Sequence, residues 1–241
     1  MKAALCMAGQ LRTMEYCFPS QKQHLLDVYR PDVFAFTTEE PDRVTELYHP
    51  VHLHWKTEEQ VLEDAFTLRD GLYAPSHPPS FNPVLTKLFQ CMGAKRVWEE
   101  ENERLYDVVF WSRYDVKFLS IPQVLTPEPN TIYVPRVGGY HITPPAEPGI
   151  HWGGYSAHLC WMSSAVADIL IEMYFSEEDW VRRAVESSAE WGHVPEYMLK
   201  FFCDQKGIKA EFVNIEMMLI RGTAENPLSF NYQPLSDYPP Y

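Results

Sequence analysis

The N-terminal part of the chain alternates between buried-strand patterns and a helical pattern. Residues 3–8 form a continuous apolar run that ends at Gly9, which is typical of a buried parallel strand. A helix-compatible pattern covers about residues 13–29, Pro31 ends it, and residues 32–38 are a second apolar run. This strand–helix–strand order predicts a parallel sheet, because it is the βαβ unit of α/β proteins.

The middle of the chain has a further strand pattern and a long helical one. Residues 51–55 alternate and predict a third strand, and Thr57 and Gln60 have the spacing of a capping box. A proline-rich stretch at 73–83 predicts a loop. Residues 84–104 predict an amphipathic helix that leads into residues 106–118, an apolar run that predicts one buried strand.

The C-terminal half predicts two helices and further strands. Thr131–Pro135, set among prolines and glycines, predicts an edge strand within loops that line a cleft. Residues 156–162 predict a buried strand, and Ser163 or Ser164 is expected to cap the following helix. A final helix is expected from near Pro195, because proline favours the first helical position, and residues 210–222 predict the last strand.

The charge balance narrows the classes of partner. Lys plus Arg number 20 against 33 Asp plus Glu, a formal net charge of -13, and no basic cluster stands out. Nucleic acid and an anionic membrane surface are therefore not expected as main partners. A phosphorylated ligand would need a few placed cations, backbone amides or a metal ion rather than a broad positive field.

Cysteine usage and hydropathy predict a cytoplasmic protein with no membrane span. The five cysteines are scattered and include no C-x-x-C pair, which is typical of reduced thiols. The first apolar stretch is too short for a signal peptide, and no segment approaches the ~18 apolar residues of a membrane helix. No repeat or linker divides the chain, so residues 1–241 predict a single α/β domain with a mostly parallel, mixed central sheet flanked by helices.

Charged residues follow the apolar run that begins at residue 106. Residues two apart on a strand share a face, so Arg113, Asp115 and Lys117 would project together. The carboxyl ends of parallel strands border the ligand crevice of α/β sheets, where a carboxylate can hold Mg2+ and an arginine can neutralise a phosphate. The spacing alone fits a solvated Arg–Asp pair equally well.

The first strand pattern ends in "AGQLR". Gly9 allows a sharp turn and a close approach of backbone amides to a ligand, and the start of the next helix favours anions. The segment matches neither G-x-G-x-x-G nor G-x-x-x-x-G-K-[ST], so it predicts neither a dinucleotide site nor a phosphate-loop NTPase. Taken alone, it is typical of any strand-to-helix turn.

Four segments together resemble one family. "ALCMAGQLRT", "RPDVFAFTT", "YDVVFWSRYDVKF" and "VPEYMLKFFCDQKGIKAEFVNIEMMLIRG" resemble, in the same order, segments of GT-A-like glycosyltransferases of bacteria, phages and large DNA viruses. The resemblance spans most of the chain and is weakest between residues 119 and 155. It implies a GT-A-like fold and the transfer of a sugar from a nucleoside-diphosphate donor, with a UDP-sugar favoured, to a glycan or other hydroxyl acceptor. If the protein is viral, its compartment would be the host cytoplasm.

The resemblance also implies binding residues for the donor. Gly9, Gln10 and Arg12 match the family's Gly-Gln-Leu-Arg loop, which looks like the binding place of the nucleotide and its diphosphate. Thr37 and Thr38 match the segment that lies near the base or the ribose.

A metal site is implied at the central motif. Arg113 and Asp115 match the family's Arg-x-Asp, which stands where other GT-A enzymes carry Asp-x-Asp for the metal and the diphosphate. Mn2+ or Mg2+ would then bind at Asp115. Because the first aspartate is replaced by arginine and Lys117 follows, the need for a metal stays open. Arg221 could close on the diphosphate or be a surface arginine at a strand end.

A catalytic base is implied near the final helix. Glu196 looks like the base of inverting GT-A enzymes, which takes the proton of the acceptor hydroxyl. A glutamate in a first helical turn also interacts well with the helix dipole, so a purely structural role explains it equally well. Glu190 and Asp204 are weaker candidates.

Two other functions fit the same sequence. A catalytically silent nucleotide-sugar or glycan-binding domain is compatible with the missing second aspartate. A sugar nucleotidyltransferase fits less well, because it would need a longer glycine-rich first loop with a basic residue on the triphosphate.

Overall fold

A computed structural model describes residues 1–61, 82–121, 123, 126–135, 150–151, 154–155, 158–175, 183–184, 186–187, 195–222 and 227–232. The loop predicted at 73–83 lies outside these residues up to residue 81. Most of the loops predicted to line a cleft, at 136–149, also lie outside them.

The strands of the described residues fall into a large sheet, a small sheet and a short hairpin. They are β1 (Ala3–Met7), β2 (Asp32–Thr37), β3 (His52–Trp55), β4 (Val108–Ser112), β5 (Val116–Ser120), β6 (Thr131–Pro135), β7 (Ile150–His151), β8 (Gly154–Tyr155), β9 (Leu159–Met162), β10 (Lys209–Val213), β11 (Glu216–Gly222) and β12 (Pro227–Tyr232).

Helices connect most of these strands. They are α1 (Met14–Gln21), α2 (Asp27–Tyr29), α3 (Pro41–Tyr48), α4 (Asn82–Glu101), α5 (Ser164–Phe175) and α6 (Pro195–Lys206). A π-helical turn, Lys22–Leu26, joins α1 to α2, so the helix predicted at 13–29 is nearly continuous.

The large sheet is mainly parallel, in the order β10-β6-β9-β4-β1-β2-β3. Strand β1 pairs in parallel with β2 and β4, β2 with β3, and β10 with β6, whereas β9 is antiparallel to both of its neighbours. The predicted α/β class, a mostly parallel mixed sheet flanked by helices, is therefore confirmed.

The chain reverses direction across the large sheet between β1 and β4. It runs outward from β1 to β2 and β3 and then returns to β4 on the other side of β1. In open α/β sheets, ligands bind outside the carboxyl ends of the strands at such a switch point. The ends of β1 and β4 are therefore the first place to look for a site.

Alternating strand residues face two separate hydrophobic cores, because successive side chains point to opposite faces. Cys6, Phe34 and Trp111 belong to the core that contains residues of α4, α5 and α6. Leu5 and Phe110 belong to the core that contains residues of α1, α3, β5 and β11.

The prediction of a single strand at 106–118 is wrong. β4 ends at Ser112, residues 113–115 form a turn, and β5 then joins β11 and β12 in the small antiparallel sheet. The apolar pattern runs on because Tyr114 in the turn is itself fully buried. The strand predicted at 210–222 divides in the same way, into β10 and β11 around the buried Ile215.

The strand predicted at Thr131–Pro135 exists, but its predicted place at the sheet edge is wrong. β6 lies between β9 and β10. Pro135 is its last residue, where the missing N–H does least damage to the ladder, and it pairs with Val213 of β10.

The predicted caps are confirmed. Thr57 N donates to Gln60 Oε1 at 2.9 Å and Gln60 N donates to Thr57 Oγ1 at 3.2 Å, which is the capping box. Val166 N donates to Ser163 Oγ at 3.3 Å, so Ser163 caps α5. Among the described parts of the chain, no helix has both the length and the apolar character needed to cross a bilayer.

Candidate functional site

Three segments that are distant in sequence meet at the carboxyl ends of β1 and β4. Ala8 N donates to the Ser112 carbonyl at 3.3 Å. Thr13 Oγ1 donates to the Ile220 carbonyl at 2.8 Å, and Ile220 N donates to the Asp115 carbonyl at 2.8 Å. We call this place, formed by residues 8–13, 112–115 and 220–221, the strand-end junction.

Gly9 shapes the loop at the strand-end junction through its backbone conformation. Its φ is +137°, a conformation that L side chains rarely adopt. A Cβ at this position would lie 3.6 Å from Cβ, 3.7 Å from Cγ and 3.8 Å from Nε of Arg113. The Arg113 side chain therefore lies against the loop that follows β1, and the need for glycine comes from φ rather than from space.

Arg113 and Asp115 form a bidentate ion pair. Arg113 Nε donates to Asp115 Oδ1 at 2.8 Å and Nη2 donates to Oδ2 at 2.7 Å. The Asp115 side chain is fully buried and that of Arg113 is 15% exposed. A planar guanidinium against a carboxylate in this geometry is among the strongest charge-assisted hydrogen bonds in proteins.

The predicted strand face that Arg113, Asp115 and Lys117 would share does not exist. The turn after β4, and not strand alternation, brings Arg113 and Asp115 together. Lys117 lies on β5, where its Nζ is 4.6 Å from the centroid of the Tyr16 ring on α1. Lys117 therefore has a packing contact of its own with α1.

Gln21 of α1 holds the turn in place. Its Nε2 lies 3.1 Å from the Arg113 carbonyl, 3.2 Å from that of Tyr114 and 2.7 Å from that of Val116. Sequence reasoning missed this residue. The signal that could have found it is its spacing, since Gln21 is four residues from Cys17 and from Leu25, on the buried face of the helix.

Tyr114 ties the same turn to the large sheet. Its hydroxyl lies 3.2 Å from the Phe36 carbonyl in β2 and 3.4 Å from the Met7 carbonyl at the end of β1. Burial raises the pKa of Tyr114 well above its ordinary value, so the hydroxyl stays protonated and remains a donor. The turn is thus fixed to α1, β1 and β2 at once.

Three arginines come from the three segments of the strand-end junction. Arg113 belongs to the turn, Arg12 precedes Thr13, and Arg221 follows Ile220 in β11. Arg12 is exposed, and within the described residues no carboxylate pairs with it. In a chain with a formal net charge of -13, each of the three segments that meet at this junction thus contains an arginine.

The other residues predicted to bind the donor lie near the same strand ends. Gln10 is exposed and Thr38 is half-buried. Thr37 is buried at the end of β2, where its hydroxyl donates to the Glu39 carbonyl and accepts from Glu39 N at 3.1 Å. The Thr37 hydroxyl is therefore engaged in closing a local turn.

The base candidates lie on the opposite side of the large sheet from α1. Glu196 is half-buried in the first turn of α6, a helix whose residues belong to the core with α4 and α5. Asp204 pairs with Lys200 one turn away, with Nζ 2.5 Å from Oδ2. Glu190 lies outside the described residues.

The metal prediction can be compared with the donor atoms present. Among the described residues, no group of three or more His, Cys, Asp or Glu side chains could hold a metal ion. Mg2+ at nucleotide sites uses one or two carboxylates together with substrate phosphates. Asp115 is the single carboxylate of the strand-end junction, and both of its oxygens accept hydrogen bonds from Arg113. In this arrangement Asp115 does not fit a Mn2+ or Mg2+ site, and metal binding stays a prediction.

The cysteines do not supply a nucleophile. Burial raises the pKa of Cys6 and of Cys17 to about 12, and the Asp115 carboxylate adds to the effect on Cys17. Burial also raises the pKa of Cys91, Cys160 and Cys203. All five are buried and none is in a disulfide bond, so the thiols are protonated at neutral pH.

Comparison with protein-family models and with curated protein sequences finds no match for this chain. Solved structures do match it, and one of them is mouse xyloside xylosyltransferase 1 in its apo form. The two are 11% identical, the match covers 88% of this chain and 84% of that chain, and the TM-score is 0.49. At such distance the likeness leaves activity, donor and acceptor to be inferred from the chain's own residues.

Proposed function

We propose that the chain is a GT-A-like glycosyltransferase that moves a sugar from a nucleoside-diphosphate donor, with a UDP-sugar favoured, to a hydroxyl group of a glycan or similar acceptor. One observation carries the proposal. The three chain segments that contain Arg12, Arg113 and Arg221 meet at the switch point of a mainly parallel sheet. The sequence resemblance of the same segments to GT-A-like enzymes points to the same function.

The chemistry of the leaving group matches this arrangement. When the bond between the sugar and the diphosphate breaks, negative charge grows on the diphosphate, and fixed positive groups aimed at it lower the barrier. Arginine suits this role because its planar guanidinium is always charged and binds phosphate through two hydrogen bonds. The loop at Gly9 and the backbone N–H groups at the start of α1 add donors without adding bulk.

The acceptor hydroxyl must lose a proton as it attacks. In an inverting reaction a carboxylate takes that proton, and Glu196 is the residue that we propose for it. Glu196 is half-buried in the first turn of α6, so part of the residue is exposed to solvent.

A catalytically silent nucleotide-sugar-binding domain is the second candidate. It is favoured by the Arg113–Asp115 pair, because the one carboxylate of the central motif is already occupied. The two functions share the donor site and differ in turnover.

A thermal-shift screen of nucleotides and nucleotide sugars, with Mn2+ and with EDTA, tests donor binding, which both candidate functions require. We expect UDP or another nucleoside diphosphate to raise the Tm of the protein more than the matching monophosphate does. A screen in which no nucleotide changes the Tm would remove both candidates. UDP release from UDP-sugars, followed with and without glycan acceptors, then separates them, because a silent domain binds the donor and releases no UDP.

A further inference from the structure

We infer that a cleft between the helical segment 14–29 and α3 is a binding site for a neutral carbohydrate. We call it the α1–α3 cleft; it is lined by residues of α1, the π-helical turn, α2 and α3 and by the residues just before β2 and β3. Its volume is about 470 Å³, which is in the range of small-molecule sites. The inference goes beyond the proposed function, because the lining residues are different from those of the strand-end junction.

The α1–α3 cleft lies at the amino ends of β2 and β3. Arg30 and Pro31 directly precede β2, and His49 lies between α3 and β3. A strand rises about 3.3 Å per residue, so about 13 Å of β2 separates Val33 in the cleft from Thr37 at the carboxyl end. The cleft and the strand-end junction are therefore at opposite ends of the large sheet.

The α1–α3 cleft has apolar walls. Phe18, Leu26 and Leu47 are half-buried there, and Val33 is buried. All four belong to, or pack against, the core that contains residues of α1 and α3. A sugar ring presents C–H groups on its faces and hydroxyl groups at its edge, so apolar walls of this kind suit the face of a sugar ring.

The polar lining residues include both hydrogen-bond donors and acceptors. Arg30 and His49 supply N–H groups, and the carboxylates of Asp27 and Glu46 supply acceptor oxygens. A sugar hydroxyl both donates and accepts a hydrogen bond, so it can pair with either kind of group. An anionic ligand would lie beside two carboxylates, and like charges repel. The mixed lining therefore favours a neutral carbohydrate.

The two donor side chains are available to a ligand. Arg30 and His49 are exposed, and in the part of the chain that the structure describes neither side chain has a hydrogen bond or an ion pair. Asp27 and Glu46 each form an exposed ion pair with a neighbouring cation. Each keeps acceptor capacity, since a carboxylate has about four lone-pair sites.

The main chain has the same unusual conformation at both donors. φ is +46° at Arg30 and +45° at His49, and these residues end α2 and α3 respectively. A helix that ends in this left-handed conformation usually has glycine there, because a Cβ is disfavoured. The helix ends alone do not explain an arginine and a histidine at these positions, whereas a ligand that both side chains bind does.

Saturation-transfer NMR of the full chain with trisaccharides, in the absence of nucleotide, tests the inference. Maltotriose, cellotriose and triacetylchitotriose are the neutral probes, and sialyllactose is the acidic comparison. We expect at least one neutral trisaccharide to bind with a Kd in the millimolar range or below, and more tightly than sialyllactose. Binding of none of the neutral trisaccharides, or tighter binding of sialyllactose, would overturn the inference.

The double variant Arg30→Gly/His49→Gly locates the binding site. It removes both donor side chains and leaves glycine, which adopts a positive φ without strain, so we expect the Tm to stay close to that of the wild type. Its affinity for the trisaccharide that binds should fall by about tenfold or more. Wild-type affinity in the double variant would overturn the inference.

Glu103→Gly is the matched control. Glu103 is exposed and has a φ of +48°, but it lies between α4 and β4 and does not line the α1–α3 cleft. This variant should bind the trisaccharide as the wild type does, and a loss equal to that of the double variant would overturn the inference. A chain that binds a trisaccharide through Arg30 and His49 but binds no UDP would retain the inference and lose the proposed function.

Discussion

Replacing Lys95 by methionine should destabilise the protein far more than an ordinary surface change. Lys95 in α4 is fully buried, and its Nζ donates to Glu99 Oε2 at 2.7 Å, to Ser164 Oγ at 2.6 Å and to Asp168 Oδ1 at 2.8 Å. The three acceptors use all three N–H groups of the ammonium. Methionine has a similar length and no charge, so the change removes the cation and leaves little empty space.

The size of the stability loss follows from the Glu99 carboxylate, which stays buried without its cation. Glu99 is 2% exposed on its side chain and keeps hydrogen bonds from Ser164 Oγ and from Tyr106 N, both at 2.8 Å, but it loses its cation. Leaving one partner of a buried ion pair uncompensated costs about 3–5 kcal/mol. For a chain of this size each kcal/mol lowers the Tm by about 2–4 °C, so we expect the Tm to fall by roughly 6–20 °C.

Urea unfolding, followed by circular dichroism and by tryptophan fluorescence, measures the free energy of unfolding. The matched control is Lys22→Met, which breaks the pair with Asp27, whose side chains are 52% and 58% exposed. That pair should contribute about 0–1 kcal/mol. A Lys95→Met variant that loses no more stability than Lys22→Met would refute the reasoning. Adding Glu99→Gln to Lys95→Met should recover part of the loss, because the uncompensated charge is then gone.

Other predictions concern the strand-end junction, the base and the buried acids. Gly9→Ala should lower the free energy of unfolding by about 1–3 kcal/mol, because φ at +137° strains any residue with a Cβ; unchanged urea midpoints would contradict this. Glu196→Gln should reduce sugar transfer by about 10²–10⁴-fold in a UDP-release assay and keep UDP affinity, and full activity would exclude Glu196 as the base. Burial raises the pKa of Cys6 and of Cys17 to about 12 from an ordinary value of 9.0, so the native state holds more protons than the unfolded state between those values. The free energy of unfolding should therefore fall as the pH rises from about 9 toward 12. A free energy of unfolding that stayed constant or rose over that range would contradict the raised pKa of the two thiols.

The sequence located most of the core elements, because a strand inside a two-sided sheet must be apolar and a buried helix face must repeat with the helical period. It could not locate the points where the chain leaves one sheet for another. Tyr114 and Ile215 occupy such points and are themselves buried, so the apolar pattern continues through both turns. Pairing partners are needed to separate β4 from β5 and β10 from β11.

The candidate site was accessible to sequence reasoning only in part. Gly9, Arg113 and Asp115 are recognisable because glycine and charged residues are unusual at the end of an apolar run. Gln21 and Thr13 bind main-chain carbonyls from segments far away in sequence, and neither residue type predicts such a partner. Those two contacts depend on the tertiary arrangement alone.

The strand-end junction also affects how ligand binding and local unfolding are coupled. Its three segments are the loop between β1 and α1, the turn between the two sheets and the end of β11 in the small antiparallel sheet, and hydrogen bonds link them. A diphosphate that bound to all three segments would act as a non-covalent cross-link between the large and the small sheet. At a concentration of one hundred times its Kd it would stabilise the linked state by about 2.7 kcal/mol. Amide hydrogen exchange in β11 should then slow with bound nucleotide more than exchange in β2, so the last strands of the chain would report occupancy of a site that begins at Gly9.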